Sequence, residues 1–276
     1  MDLLTAPFEV DRRRRATPVV GALCVVGALM LGGVAGGQWL ERQGGLGREL
    51  GLAVEGAAVH GGFIAQGLII TLAGRSAGAA IAVRMAGALL AAFLLGHLAP
   101  WGSLAFLLIP PLLVHECRGH PTLRRIGFLA PARPASLLVG FAAGAFLGGH
   151  LLITSSLTFG YAISVVTVAG YLSAVAYDVG ANALSAEFLF RGALFSHWWR
   201  HWGFWGAAAV STALTLVRYL LDPALPEAPE ARAGAIVYLA ALALGAAMLR
   251  AWSGSLVPGY LASVAFFAAY RALVVW

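Results

Sequence analysis

Residues 181–201 read ANALSAEFLFRGALFSHWWRH, and the fold turns on what such a stretch can be. As a helix it rises about 31 Å, enough to cross the hydrocarbon of a bilayer. Its flanks are apolar, yet Glu187 and Arg191 stand four residues apart, on one helical face and within reach of each other. A carboxylate and a guanidinium in hydrocarbon cost several kcal/mol each unless they meet one another, a polar partner or water. Neighbouring helices therefore have to pack around that face, which makes it the first candidate for a functional site.

The rest of the chain has a membrane protein's composition. Of 276 residues, 60% are hydrophobic and 11% charged, where a soluble domain carries about 25% charged residues. Mean hydropathy is +0.84. Such a chain cannot cover its apolar side chains with its own polar ones, so the expected fold is an all-α polytopic membrane bundle of about 8–10 helices. The net charge of +6 is no nucleic-acid signal. Arginine gathers at Arg12–Arg15 and in the loop holding Arg118, Arg124, Arg125 and Arg133, as topology determinants do. The first cluster precedes an apolar run and predicts a cytoplasmic N-terminus. Cys24 and Cys117 lie far apart, without a metal or redox spacing.

Residues 1–17 form a basic head. Spans are expected at Pro18–Leu40, Leu50–Ala73, Ala79–Ala99 and, in shortened form, Trp101–Val114, where Pro110-Pro111 should kink or stop a helix. Gly32, Gly33, Gly36 and Gly37 in the first span suit close helix contact. Glu55 and His60 in the second are five apart and share no face, so an interface-level acid and a packing histidine account for them. His115, Glu116 and His120 have the spacing H-E-x-x-x-H rather than H-E-x-x-H, which turns the histidines to different faces; a rim cluster is expected, not a zinc site.

Ala135–Leu157 is the next span, with Gly140, Gly144 and Gly148 on one ridge and His150 just beyond it. Phe159–Tyr177 follows, and Asp178 with Gly180 should break it from the central helix. Trp198, Trp199, Trp202 and Trp205 surround a charged reversal and read as an interfacial belt. Trp205–Leu221, Ala233–Leu249 and Leu256–Val274 complete the bundle around the acidic, Pro-rich loop Asp222–Glu230.

The string A-E-F-L-F-R-G at 186–192 resembles the first motif of the CPBP family, E-E-x-x-F-R-G. That family comprises CAAX-type prenyl-protein endopeptidases, Abi-type intramembrane proteases and bacteriocin-processing proteins of bacteria. The basic turn and Gly-ridged helix over Leu123–Gly148, and the late segment ending Ser253-Gly254-Ser255-Leu256, are similar to it as well. The resemblance covers roughly residues 120–272, leaving 18–119 as additional N-terminal helices. It implies a CAAX-protease-like bundle integral to the bacterial cytoplasmic membrane. It also implies Glu187 and Arg191 as motif residues.

The departures matter. Ala186 stands where the family has the water-activating glutamate. The second motif, F-x-x-x-H, falls at about Thr215 and Tyr219, and the third, a histidine followed four later by asparagine, at about Ser263 and Phe267. Peptide hydrolysis needs a proton acceptor and a group to stabilise the oxyanion, and a metal would need several converging ligands. His150 is the best replacement base, ahead of His197 and His201, and Tyr219 could donate a hydrogen bond.

Three readings follow. In the first, a CPBP-like protein without peptidase chemistry keeps Glu187–Arg191 as a structural pair and binds or regulates a membrane protein or lipidated peptide among membrane lipids. It has no cofactor and no nucleic-acid partner. In the second, a divergent endopeptidase acts on membrane-associated or lipidated substrates through Glu187 and His150, a divalent metal entering only here. In the third, the charged face lines a solute path, which a broken helix at mid-membrane would favour.

Overall fold

The computed structural model describes residues 17–72, 76–125, 127–164, 167–220 and 229–274. The basic head at Arg12–Arg15 and most of the loop Asp222–Glu230 lie outside them. Apart from a two-residue antiparallel pairing of β1 (Ala162–Ile163) with β2 (Leu273–Val274), the regular structure is helical. Among the described residues five helices are long and apolar enough to cross a membrane: Val19–Glu41, Gly45–Leu72, Ala77–Leu98, Pro134–Phe159 and Arg232–Ser253. The protein is an all-α polytopic membrane protein.

The chain falls into two compact units, each discontinuous in sequence. Among the described residues one holds 17–125 and 172–189, the other 127–171 and 190–274.

In the first unit α1 (Thr17–Glu41) packs on α2 (Gly45–Leu72), and α2 on α3 (Ser76–Leu98). The glycines of α1 set the first contact. A Cβ at Gly33 would meet Ala58, and one at Gly37 the carbonyl oxygen of Gly51, whereas Gly32 and Gly36 face open space. A 3₁₀ segment, Gly102–Leu108, leads into α4 (Ile109–Cys117) and the short α5 (Pro121–Arg125). The proline pair does not stop a helix here. It occupies the first turn of α4, where the missing N–H has no intrahelical acceptor to lose and a fixed φ favours initiation.

In the second unit α6 (Pro134–Phe159) lies against α11 (Val257–Tyr270), with α9 (Ser196–Leu220) and α10 (Pro229–Ser253) alongside. Helix α6 buries Ser136, Gly140, Gly144, Gly148, Leu151 and Ser155 and exposes Leu138, Phe141, Phe146, Ile153 and Leu157. Small residues inside and large apolar ones outside is the order expected where the surroundings are lipid. The expected ridge is present: Gly140 faces the carbonyl of Pro258, Gly144 that of Ala262 and Gly148 that of Phe266. The partners repeat every four residues too, so the two helices meet register to register, nearly backbone to backbone.

Two expectations fail after α6. The span expected over Phe159–Tyr177 does not begin at Phe159, because Gly160 closes α6 in the left-handed conformation (φ 70°). Helix α7 starts only at Val168. Nor do Asp178 and Gly180 break the chain from the central helix. Helix α7 (Val168–Tyr177) runs on through a π-turn, Asp178–Asn182, a single α-turn, α8 (Ala183–Ala186), and a longer π-segment, Glu187–Phe195, into α9. Gly180 is required for closeness, since a Cβ would collide with the Phe106 backbone. The helix ends at Gly203, whose φ of 68° breaks α9. Trp202 and Trp205 beside it are exposed, but Trp199 turns inward onto Phe195 and Phe204, so the tryptophan belt is narrower than expected.

Candidate functional site

The central helix carries an unusual polar load for its depth. Asp178, Asn182, Ser185, Glu187 and Arg191 are all buried, Glu187 at 3% and Arg191 at 2% exposure. Glu187 and Arg191 belong to the π-segment Glu187–Phe195, and Asp178 opens the π-turn before it. Wide i→i+5 turns of this kind are rare and recur at functional sites. The boundary between the two units falls between Leu189 and Phe190, so the polar residues are described unit by unit.

In the first unit the network centres on His60 of α2. Its Nδ1 shares a hydrogen bond of 2.8 Å with Ser185 Oγ, and its Nε2 one of 2.9 Å with the Tyr177 hydroxyl. The ring stacks on Phe93 at 5.9 Å between centroids and meets Tyr177 edge-on. Phe106 closes the box against Phe93 and Tyr177. A turn before Ser185, Asn182 Nδ2 donates to Asp178 Oδ1 at 2.8 Å. Sequence reasoning treated His60 as a packing histidine and Asp178 as a helix breaker. Nothing local could correct that, because the partners of His60 lie 117 and 125 residues away. Glu116, in the rim cluster, bonds Arg84 of α3 at 2.5 Å.

In the second unit the resemblance can be followed position by position. Thr215, Tyr219, Ser263 and Phe267 are all buried. The rings of Tyr219 and Phe267 meet at 5.5 Å within an apolar cluster of Leu151, Leu239, Leu242, Leu249, Ala262 and Phe266. Thr215 turns its hydroxyl back to the Ser211 carbonyl at 2.8 Å, and Ser211 donates to the Phe190 carbonyl at 2.9 Å. That last bond supports a carbonyl inside the π-segment, where regular helical pairing is disturbed. Where the second and third motifs would put two histidines and an asparagine, the chain has Tyr219, Ser263 and Phe267.

His150 sits on the exposed side of α6. It bonds the hydroxyl of Tyr238 on α10, which Thr154 also engages at 2.9 Å. His197 and His201 are exposed and lie ring to ring at 5.3 Å. Ala186, at 1% exposure, puts a methyl group where the family has its first glutamate. The similar late turn has a clear role: the Ser255 hydroxyl donates to the Ala130 carbonyl at 3.0 Å and the Leu256 N–H to that of Gly127 at 2.9 Å. Both segments of secondary resemblance are thereby joined. Arg250 is buried where Gly127 (φ 85°) leaves room for its guanidinium. Among the described residues no three His, Cys, Asp or Glu side chains come together as a metal site would need.

No family model, no curated protein and no solved structure matches the chain.

Proposed function

We propose that this protein is a CPBP-like component of a bacterial cytoplasmic membrane, its N-terminus cytoplasmic, which has lost peptidase chemistry and binds or regulates a membrane partner, a protein or a lipidated peptide. One observation carries the reading. Tyr219 and Phe267, standing for the histidine and asparagine of two family motifs, fill the space between them with packed rings inside an apolar cluster. A phenyl ring has no atom to take a proton, and a neutral phenol is too weak a base to take one from water at neutral pH. Ser263 and Ala186 stand where the family's other histidine and its first glutamate would be. Glu187 and Arg191 are then kept for charge balance, since removing one buried partner strands the other at about 3–5 kcal/mol.

The test is direct. The purified protein is reconstituted in liposomes with prenylated and unprenylated peptides, with and without added divalent metal, and both cleavage and retention are measured. The reading predicts that no peptide bond is cut while a lipidated peptide or co-reconstituted membrane protein is retained. Cleavage that Glu187→Gln abolishes, at undiminished yield, would establish the divergent endopeptidase instead.

A further inference from the structure

His60 bonds two residues, Tyr177 and Ser185, that lie on either side of the π-turn Asp178–Asn182. In a regular α-helix eight residues sweep about 800°, which leaves the two side chains about 80° apart around the axis. A π-turn takes up one extra residue. The pair then behaves as if seven apart, about 700°, and falls within about 20° of a common face. The wide turn is thus what lets a single imidazole hold both hydroxyls. The short α-turn Ala183–Ala186, which contains Ser185, follows directly, and Glu187 opens the second π-segment.

We propose that the Asp178–Asn182 π-turn is a movable one-residue insert in the central helix, and that His60 is the positioning residue that latches it. With the latch closed, Gly180 lies against the Phe106 carbonyl and Asn182 reaches Asp178. With it open, the turn can slide along the helix, and each residue over which it slides rotates by about 100°. Ala183–Ala186 lies directly in that path, with Glu187 beyond it. The device concerns how the segment bearing Glu187 is held, and it stands whether or not the chain has kept any peptidase chemistry.

The experiment uses the full chain in lipid nanodiscs. Amide hydrogen exchange over residues 178–186 is followed in the parent, in His60→Phe, in a deletion of Val179, and in the two combined. His60→Phe keeps a ring to stack on Phe93 but loses both hydrogen bonds. The deletion removes the insert and leaves Tyr177 and Ser185 seven apart on a regular helix. The expected result is that the deletion folds, that His60→Phe speeds exchange at 178–186 by about tenfold in the parent, and that the same substitution has less than about a threefold effect in the deletion background. An alanine inserted after Val179 sets the pair nine apart and should abolish folded protein. A deletion that does not fold, an insertion tolerated as well as the deletion, or an equal effect of His60→Phe in both backgrounds would each overturn the proposal.

Discussion

Helices α6 and α11 meet on three glycines facing three backbone carbonyls, while α2 meets the π-interrupted central helix through a histidine between two hydroxyls. The first contact needs no polar side chain. It depends on closeness, and dispersion over two bare backbones holds it together. The second spends polar groups in an apolar setting and depends on each finding its partner. A ridge of small residues fixes a rigid frame. A polar clamp on a wide turn fixes a segment that, on our proposal, has another register available to it. Glu187 and Arg191 both belong to a π-segment, whereas the glycine seam joins two regular helices.

The contrast can be broken from the glycine side first. Gly144→Leu drives a side chain into the Ala262 backbone, where no rotamer can relieve the clash. Folded yield from membranes should fall to near zero, a loss beyond the about 1–3 kcal/mol of ordinary overpacking. The smallest effect is expected from neighbouring glycines of α1. Gly36→Ala enters open space and should shift thermal stability by no more than the about 1 kcal/mol separating the two residues' helix propensities. Gly37→Ala meets the Gly51 carbonyl at 2.7 Å and should be the worse of the two. Equal effects at 36 and 37 in a thermal scan would deny α1 a single packing face.

The same contrast explains what the sequence discloses. A glycine every four residues prints both the helix and the face that packs, so the α6 ridge and most long apolar spans were legible. The proline pair was visible but ambiguous, because proline at the first turn of a helix and proline past its end have the same local spelling; α4 resolves it one way. The π-turns were not legible at all. A single inserted residue leaves no period to read, and Asp178 with Gly180 spells a break as readily as a wide turn. His60 stayed hidden because its worth depends on partners from a distant helix. At the candidate site, Glu187 and Arg191 stood out by charge alone and Asp178 as a helix breaker, whereas Asn182, Ser185 and Arg250 became noticeable only once their burial was known.

On the proposed function, Glu187 and Arg191 are kept for charge balance rather than for chemistry. Thermal unfolding of Glu187→Leu, Arg191→Met and the double substitution, measured side by side in nanodiscs, tests this most directly. Each single change should cost about 3–5 kcal/mol by stranding a buried charge, and the double should recover a substantial part of the loss. Single variants as stable as the parent, or a double variant that loses the full sum of both, would contradict it.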